Sequence, residues 1–194
     1  CAAPGGKALQ IAAAGAALTA SDKSPARLRR LREGLARTGM GAETLVADAM
    51  GWPDNRTFDA VLLDAPCTST GTFRRNPDVL WTLRPPDVAA LAALQSRLLD
   101  AAAARVAEGG RLVYCVCSLE TEEGEAQARG FLRRHAEFRL APARPGEAGA
   151  PEASLASEGW LRILPHHLEG GLDGFFVARF VKGGPVLAGE RPGR

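Results

Sequence analysis

Four cysteines and three strand-terminal aspartates stand out in this 194-residue chain as groups that could do chemistry. Asp64-Ala-Pro-Cys67 follows the apolar run Phe58-Asp-Ala-Val-Leu-Leu63, and Tyr114-Cys-Val-Cys117-Ser118 closes another run that begins at Arg111. A cysteine at a loop near a helix start can become a thiolate, because backbone N–H dipoles and nearby arginines stabilise its charge, and a thiolate is a nucleophile at neutral pH. Cys67 and Cys117 meet this description, with Arg74 and Arg75 in the Gly- and Pro-bounded segment after Cys67. Cys115 reads as core packing. The cysteines form no pair of C-x-x-C knuckles, and His135, His166 and His167 lie far from them in sequence, so no metal site is expected.

A second set of residues reads as a binding site. Cys1-Ala2-Ala3-Pro4-Gly5-Gly6-Lys7 has neither the G-x-G-x-x-G nor the P-loop spacing, yet its glycines can bring backbone N–H groups close to a carboxylate. Asp22, Asp48 and Asp64 each end a short apolar segment. Open parallel sheets bind ligands beyond the carboxyl ends of their strands, and the acid after the second strand is where such folds hold ribose hydroxyls. Together the loop and Asp22 point to a nucleoside-containing cofactor.

The elements that must position these groups alternate between strand and helix. Ala8 to Ala14 suits a helix, Ala17 to Ala20 a strand, and Ser24-Pro25 an N-cap and first helical residue, followed by Leu28, Leu31 and Leu35 at helical spacing and a stop at Gly39. Strands follow at 43–47 and 58–63. A helical stripe runs from Asp87 to Val106 with Gly109-Gly110 as its stop, and a further helix is expected from Thr121 to His135, with Glu122 and Glu123 complementing its dipole. Alternation of this kind predicts an α/β fold with a mostly parallel sheet and helices on both faces; the strand that should precede the Gly-rich loop is missing. Residues 142–157 read as a mobile surface loop, and 183–194 as a disordered tail. Net charge is +2 and no apolar run approaches the roughly 18 residues of a membrane span. One domain over residues 1–182 is expected, cytoplasmic, monomeric and without a membrane partner.

CAAPGGK, DAPCTSTGTFRRNPDVLW, YCVCSLETEEGE and DGFFVARF resemble, in order and spacing, the signature motifs of the NOL/NOP/Sun family of RNA cytosine-5 methyltransferases, from Cys1 to about Lys182. The resemblance implies a Rossmann-like class I methyltransferase fold and S-adenosyl-L-methionine as cofactor. It implies that Cys1 to Lys7 surround the methionine part, that Asp22 is the ribose ligand and Asp48 the adenine-side acid, and that Asp64 contacts the cofactor amino group or the target base. It further implies Cys117 as the nucleophile and Cys67 as the residue that assists product release. The sequence departs from the family pattern at Ala8, Val116 and Gly124. The partner implied is single-stranded or locally opened RNA, ribosomal RNA first, with Arg74 and Arg75 on its backbone.

Two cysteines suit this chemistry. Carbon 5 of cytosine is a poor nucleophile until a thiolate adds to carbon 6, and the carbon 5 proton must leave before the thiolate is eliminated. In the rival assignment the Pro-Cys residue, Cys67, is the nucleophile. A non-catalytic RNA-binding or assembly module of the same fold, and a small-molecule or protein methyltransferase, are the alternative functions.

Overall fold

The computed structural model describes residues 1–183, and the tail expected at 183–194 lies, but for Gly183, outside the described residues. The described backbone falls into two compact units, one of Cys1–Asn55 and one that begins at Arg56.

In the first unit, α1 (Gly6–Ala13) follows the Gly-rich loop, then come β1 (Thr19–Asp22), α2 (Pro25–Thr38) and β2 (Glu43–Val46). β1 and β2 pair in parallel, Thr19 opposite Glu43 through Asp22 opposite Val46. α2 is bounded as expected. The Ser24 side chain accepts from Arg27 N, Pro25 occupies the first turn, and Gly39 ends the helix in the left-handed conformation at φ 66°. Leu28, Leu31 and Leu35 bury the inner face of α2 against Ala3, Ala8 and Ala20. Each buried leucine contributes roughly 1.5–3 kcal/mol.

The second unit holds β3 (Phe58–Asp64), a one-turn α3 (Val79–Thr82), α4 (Pro85–Ala103), β4 (Val106–Val116), α5 (Glu125–Arg134), β5 (Phe138–Leu140), β6 (Leu161–Ile163) and β7 (Phe175–Lys182). The sheet order is β3-β4-β7-β5, with β6 also on β7. β3 and β4 are parallel, whereas β7 runs antiparallel to β4, β5 and β6. Of the mostly parallel sheet expected, β1·β2 and β3·β4 are parallel, and the pairing turns antiparallel around β7. Tyr114, Phe131, Phe176 and Phe180 are fully buried in this unit's core, with the Phe131 and Phe180 ring centroids 4.7 Å apart.

Among the boundaries that differ from the sequence reading, three have a clear local reason. α4 ends at Ala103 rather than Val106, and Val106 already pairs with Phe58. Gly109 and Gly110 do not stop the helix; they absorb a bulge within β4, Gly109 at φ 76° and Gly110 packed so that a Cβ would sit 2.8 Å from Ala107 O. α5 begins at Glu125 rather than Thr121, because residues 121–124 form turns that send Glu123 inward. Residues 142–157 hold two short 3₁₀ turns, with Ser154 buried against His167 Nδ1 at 2.8 Å and Glu147 paired with Arg179.

Candidate active site

Each of the two units carries its own group of candidate residues. In the first, Cys1 to Lys7 lie beside the end of β1: Ala2 N donates to Ser21 O at 2.9 Å, and Arg27 donates to Ala3 O. Gly5 sits at φ 123°, and a Cβ there would meet Leu31 Cδ1 at 2.6 Å, so the loop needs glycine for both conformation and packing. Asp22 is 1% exposed; its Oδ2 accepts from Ala3 N at 3.3 Å and its Oδ1 from Ser24 N at 2.9 Å. Burial pushes the Asp22 carboxyl up, but the bonds from Ser24 and Ala3 and the positive charges of the chain amine and Arg27 outweigh it, holding the group below the usual carboxylate range. Asp22 thus shapes the loop, a role that its expected ribose contact did not suggest.

The same unit fits S-adenosylmethionine at its charged and polar ends. α1 begins at Gly6, its first turn closed by Leu9 N on Gly5 O, and a helix N-terminus favours a carboxylate such as that of the methionine part. A Cβ at Gly6 would meet nothing within 4 Å, so a ligand can approach the backbone there. Asp48, at the end of β2, is exposed, with Oδ1 accepting from Met50 N at 3.0 Å.

In the second unit the chain brings Asp64, Cys67, Cys115 and Cys117 together. β3 and β4 end in register, Asp64 opposite Cys115, and Cys115 Sγ donates to Asp64 Oδ1 at 3.5 Å. Cys115, read from sequence as packing alone, is buried and also supports the acid. The two candidate catalytic sulfurs, Cys67 Sγ and Cys117 Sγ, are 3.5 Å apart. Ser69, a non-glycine residue held at φ 60°, brings its Oγ to 3.5 Å from Cys117 Sγ and 3.9 Å from Cys67 Sγ. The sulfurs therefore differ. Hydrogen bonding with the Cys67 thiol and the Ser69 hydroxyl pulls the Cys117 thiol down against its own burial and the Asp64 charge, whereas the bond to Cys117, burial and the Cys117 charge push Cys67 up. Cys117 is the sulfur set up to be a thiolate and Cys67 the one set up to keep its proton.

A buried polar cluster that sequence reading missed holds these loops. Glu123 is fully buried; Thr68 N donates to its Oε1 at 3.1 Å and its Oε2 at 3.2 Å, Thr68 Oγ1 to Oε2 at 2.5 Å, and Gln95 Nε2 to Oε1 at 2.9 Å. Ser118 Oγ lies 3.2 Å from Thr68 Oγ1 and 3.3 Å from Thr70 Oγ1. Gly71 N donates to Cys117 O at 3.0 Å and Gly174 N to Gly71 O at 2.7 Å, and a Cβ on Gly71 would fall 2.1 Å from Gly174 O. This contact explains the glycine of DGFF. Of the two arginines expected on RNA, Arg75 Nε donates to both Asp173 oxygens, at 3.0 and 2.8 Å, while Arg74 is exposed.

Among the described residues no helix is long and apolar enough to cross a membrane, and no cluster of His, Cys, Asp and Glu could hold a metal ion.

Residues 1–181 match the family model described as 16S rRNA methyltransferase RsmB/F. The ribosomal RNA small subunit methyltransferase B of Pectobacterium atrosepticum is 41% identical over 187 residues, which cover 94% of this chain and 41% of that protein. The chain thus spans about two fifths of the length of such relatives. The crystal structure of PH0851 superposes with a TM-score of 0.84 at 38% identity, covering 93% of this chain and 41% of that one. NSun6 from Pyrococcus horikoshii, solved with SFG, superposes with a TM-score of 0.78 at 31% identity, covering 95% and 47%. The fold is a Rossmann-like methyltransferase fold, and the family's methyl donor is the S-adenosyl-L-methionine that the first unit fits. With its loop, its strand-end acids and its paired cysteines accounted for, the chain belongs to the RsmB/F family of 16S rRNA methyltransferases.

Proposed function

We propose that this chain is the catalytic part of an enzyme that methylates carbon 5 of a cytosine in ribosomal RNA, with Cys117 as covalent nucleophile and Cys67 as the residue that releases the product. The observation that carries the reading is the pair of sulfurs 3.5 Å apart with unequal surroundings. S-adenosylmethionine supplies an electrophilic methyl group. Cys1 to Lys7 bind its amino-acid end, Asp22 shapes that loop, and Asp48 takes its adenine side.

Cys117 thiolate forms a bond to carbon 6 of the flipped-out base, and the electron pair of the carbon 5–carbon 6 double bond becomes available at carbon 5. As charge builds on the ring N3 takes a proton from solvent, and the Asp64 carboxylate, supported by Cys115, accepts a hydrogen bond from it until N3 returns the proton on elimination. Cys67 stays protonated while it donates to the Cys117 thiolate, since that bond is the first cause of its raised pKa. Once Cys117 is bonded to carbon, the largest of the causes that keep Cys67 protonated is gone. Cys67 can then lose its proton to solvent and, after methylation, take the proton from carbon 5. The ring double bond re-forms and Cys117 leaves as a thiolate.

Trapping on RNA containing 5-fluorocytosine tests the assignment, because fluorine at carbon 5 cannot leave as a proton and the adduct persists. Cys117→Ala should abolish the covalent complex, and Cys67→Ala should let a complex build up on unmodified RNA. The reverse pattern makes Cys67 the nucleophile. Methylation that survives loss of both cysteines favours a different methyl acceptor.

A further inference from the structure

We propose that Glu123 is a positioning residue for the cysteine pair: it fixes the loop carrying Cys67 so that this thiol points its proton at Cys117, and thereby decides which of the two sulfurs is the nucleophile. The proposal rests on the cysteine reading above and adds to it a residue that touches neither RNA nor cofactor.

The argument starts from geometry. Glu123 is fully buried, and a buried carboxylate is tolerated only where donors surround it. Its donors are Thr68, through both N and Oγ1, and Gln95, whose Nε2 also donates to Pro66 O at 2.9 Å. The bonds therefore grip residues 66 and 68, on either side of Cys67. On its own strand of connections Glu123 is equally fixed: Tyr114 OH donates to Glu123 O at 2.6 Å, and Ser118, next to Cys117, joins the cluster through Thr68 Oγ1. One side chain thus ties the Cys67 loop to the Cys117 segment.

Charge points the same way. The groups that act on the two sulfurs are Asp64 from the end of β3, Glu123 from the turn before α5, Tyr114 on β4, and Arg75 from the turn after Thr72. At Cys117 the hydrogen bonds with Cys67 and Ser69 outweigh burial and the Asp64 charge. The Glu123 charge adds a smaller contribution in the same sense by opposing a thiolate at Cys67, so the larger part of its effect is the placing of the Cys67 thiol. Ser69 Oγ, nearer to Cys117 than to Cys67, completes the asymmetry.

The experiment is alkylation by iodoacetamide of the full-length protein across pH 5–9, with peptide mapping to count label on each cysteine and melting curves run in parallel. The wild-type protein should label on Cys117 over Cys67 by about tenfold or more. Glu123→Gln keeps the shape and removes the charge that opposes a thiolate at Cys67; the label should move toward parity, and the pH at which Cys67 labelling sets in should fall. Under saturating RNA, kcat should fall about tenfold with KM for RNA unchanged. Should Glu123→Gln fold poorly, Thr68→Val removes only the Oγ1 link and should move the ratio in the same direction by a smaller factor, with Thr68→Ser restoring it. A lowered melting temperature with an unchanged labelling ratio and pH onset in both variants would make Glu123 merely structural and overturn the proposal. Labelling needs no methyl transfer, so it stands or falls separately from the trapping result: if trapping survives Cys117→Ala but the ratio responds to Glu123, the cysteine roles are at fault and the positioning is not.

Discussion

Asp22 and Glu123 are both buried carboxylates that organise a loop, yet they are satisfied in opposite ways. Asp22 takes its bonds from Ser24, two residues on, and Ala3, nineteen residues back, within one strand-helix turn and the loop beside it. Glu123 takes its bonds from Gln95 and Thr68, 28 and 55 residues away, across separate elements of its unit. The first arrangement can form once a strand, a turn and a helix are in place. The second exists only after β3, α4 and β4 have packed. The cofactor loop is therefore held by short-range wiring and the cysteine site by long-range wiring, and damage should spread differently in each.

The largest effect is expected where the long-range wiring is tightest. Gly71→Ala would drive a Cβ to 2.1 Å from Gly174 O, and backbone atoms cannot give way as a flexible side chain can. A cost of about 3 kcal/mol or more follows from overpacking of this kind, with loss of the Gly71 N to Cys117 O bond. Thermal melting should show the destabilisation, and covalent trapping should be lost even in the fraction that remains folded. If Gly71→Ala melts like the wild-type protein, the close approach of residues 71 and 174 is not a constraint on the site.

Asp22→Ala should have the next largest effect and leave the cysteines alone. It strips two backbone N–H groups, those of Ala3 and Ser24, of a buried acceptor, a loss of about 2 kcal/mol by the cost of unsatisfied donors. S-adenosylmethionine affinity, read by calorimetry, should fall at least tenfold, an order-of-magnitude expectation from a misplaced loop, while the iodoacetamide labelling ratio of Cys117 to Cys67 stays at its wild-type value. The pH dependence has a definite sign. The folded pKa of Asp22 lies below its unfolded value, so its contribution is present above the unfolded pKa, near 3.9, and is lost as pH falls through the folded one. Acid should loosen the loop of the wild-type protein and have less to remove from Asp22→Ala. A changed labelling ratio in Asp22→Ala would show that the two kinds of wiring are joined.

The same contrast explains what could be read from the sequence. α2 was legible to the residue, since Ser24, Pro25, the Leu28, Leu31 and Leu35 stripe and Gly39 are local signals with local causes. The placing of Asp22 and Asp64 at the ends of β1 and β3, and of Asp48 just past β2, was legible for the same reason. Glu123 was not. Next to Glu122 and ahead of a helical stripe it looks like a first-turn acid facing solvent, and only Thr68 and Gln95 turn it inward. Gly109-Gly110 misled in the same manner, because a helix stop and a strand bulge ask the same freedom of a glycine, and pairing with Phe58 and Ala60 decides between them. The antiparallel return of β7 also depends on partners, here β4, β5 and β6. For the site, the motif resemblance named the cysteines, but the Ser69 geometry that makes them unequal comes from a left-handed residue no pattern in the sequence marks.

The smallest expected effect separates two neighbours that the sequence treats alike. Arg74 and Arg75 form one basic pair, but Arg75 is held on Asp173, the residue before Gly174, and so belongs to the long-range wiring of the cysteine site. Arg74 lies exposed against Gly171. A phosphate contact releases a counterion, so its loss lowers the slope of log K against log salt by about 0.7 for single-stranded RNA. Arg74→Ala should reduce the slope by about that amount with trapping unimpaired in low salt. Arg75→Ala should leave the slope alone, because its charge is already met by Asp173, and should slow trapping slightly through the Gly71–Gly174 contact. Equal salt slopes for the two variants would mean that Arg75 leaves Asp173 when RNA arrives; the ion pair would then be a resting arrangement of the site and no part of what holds it together.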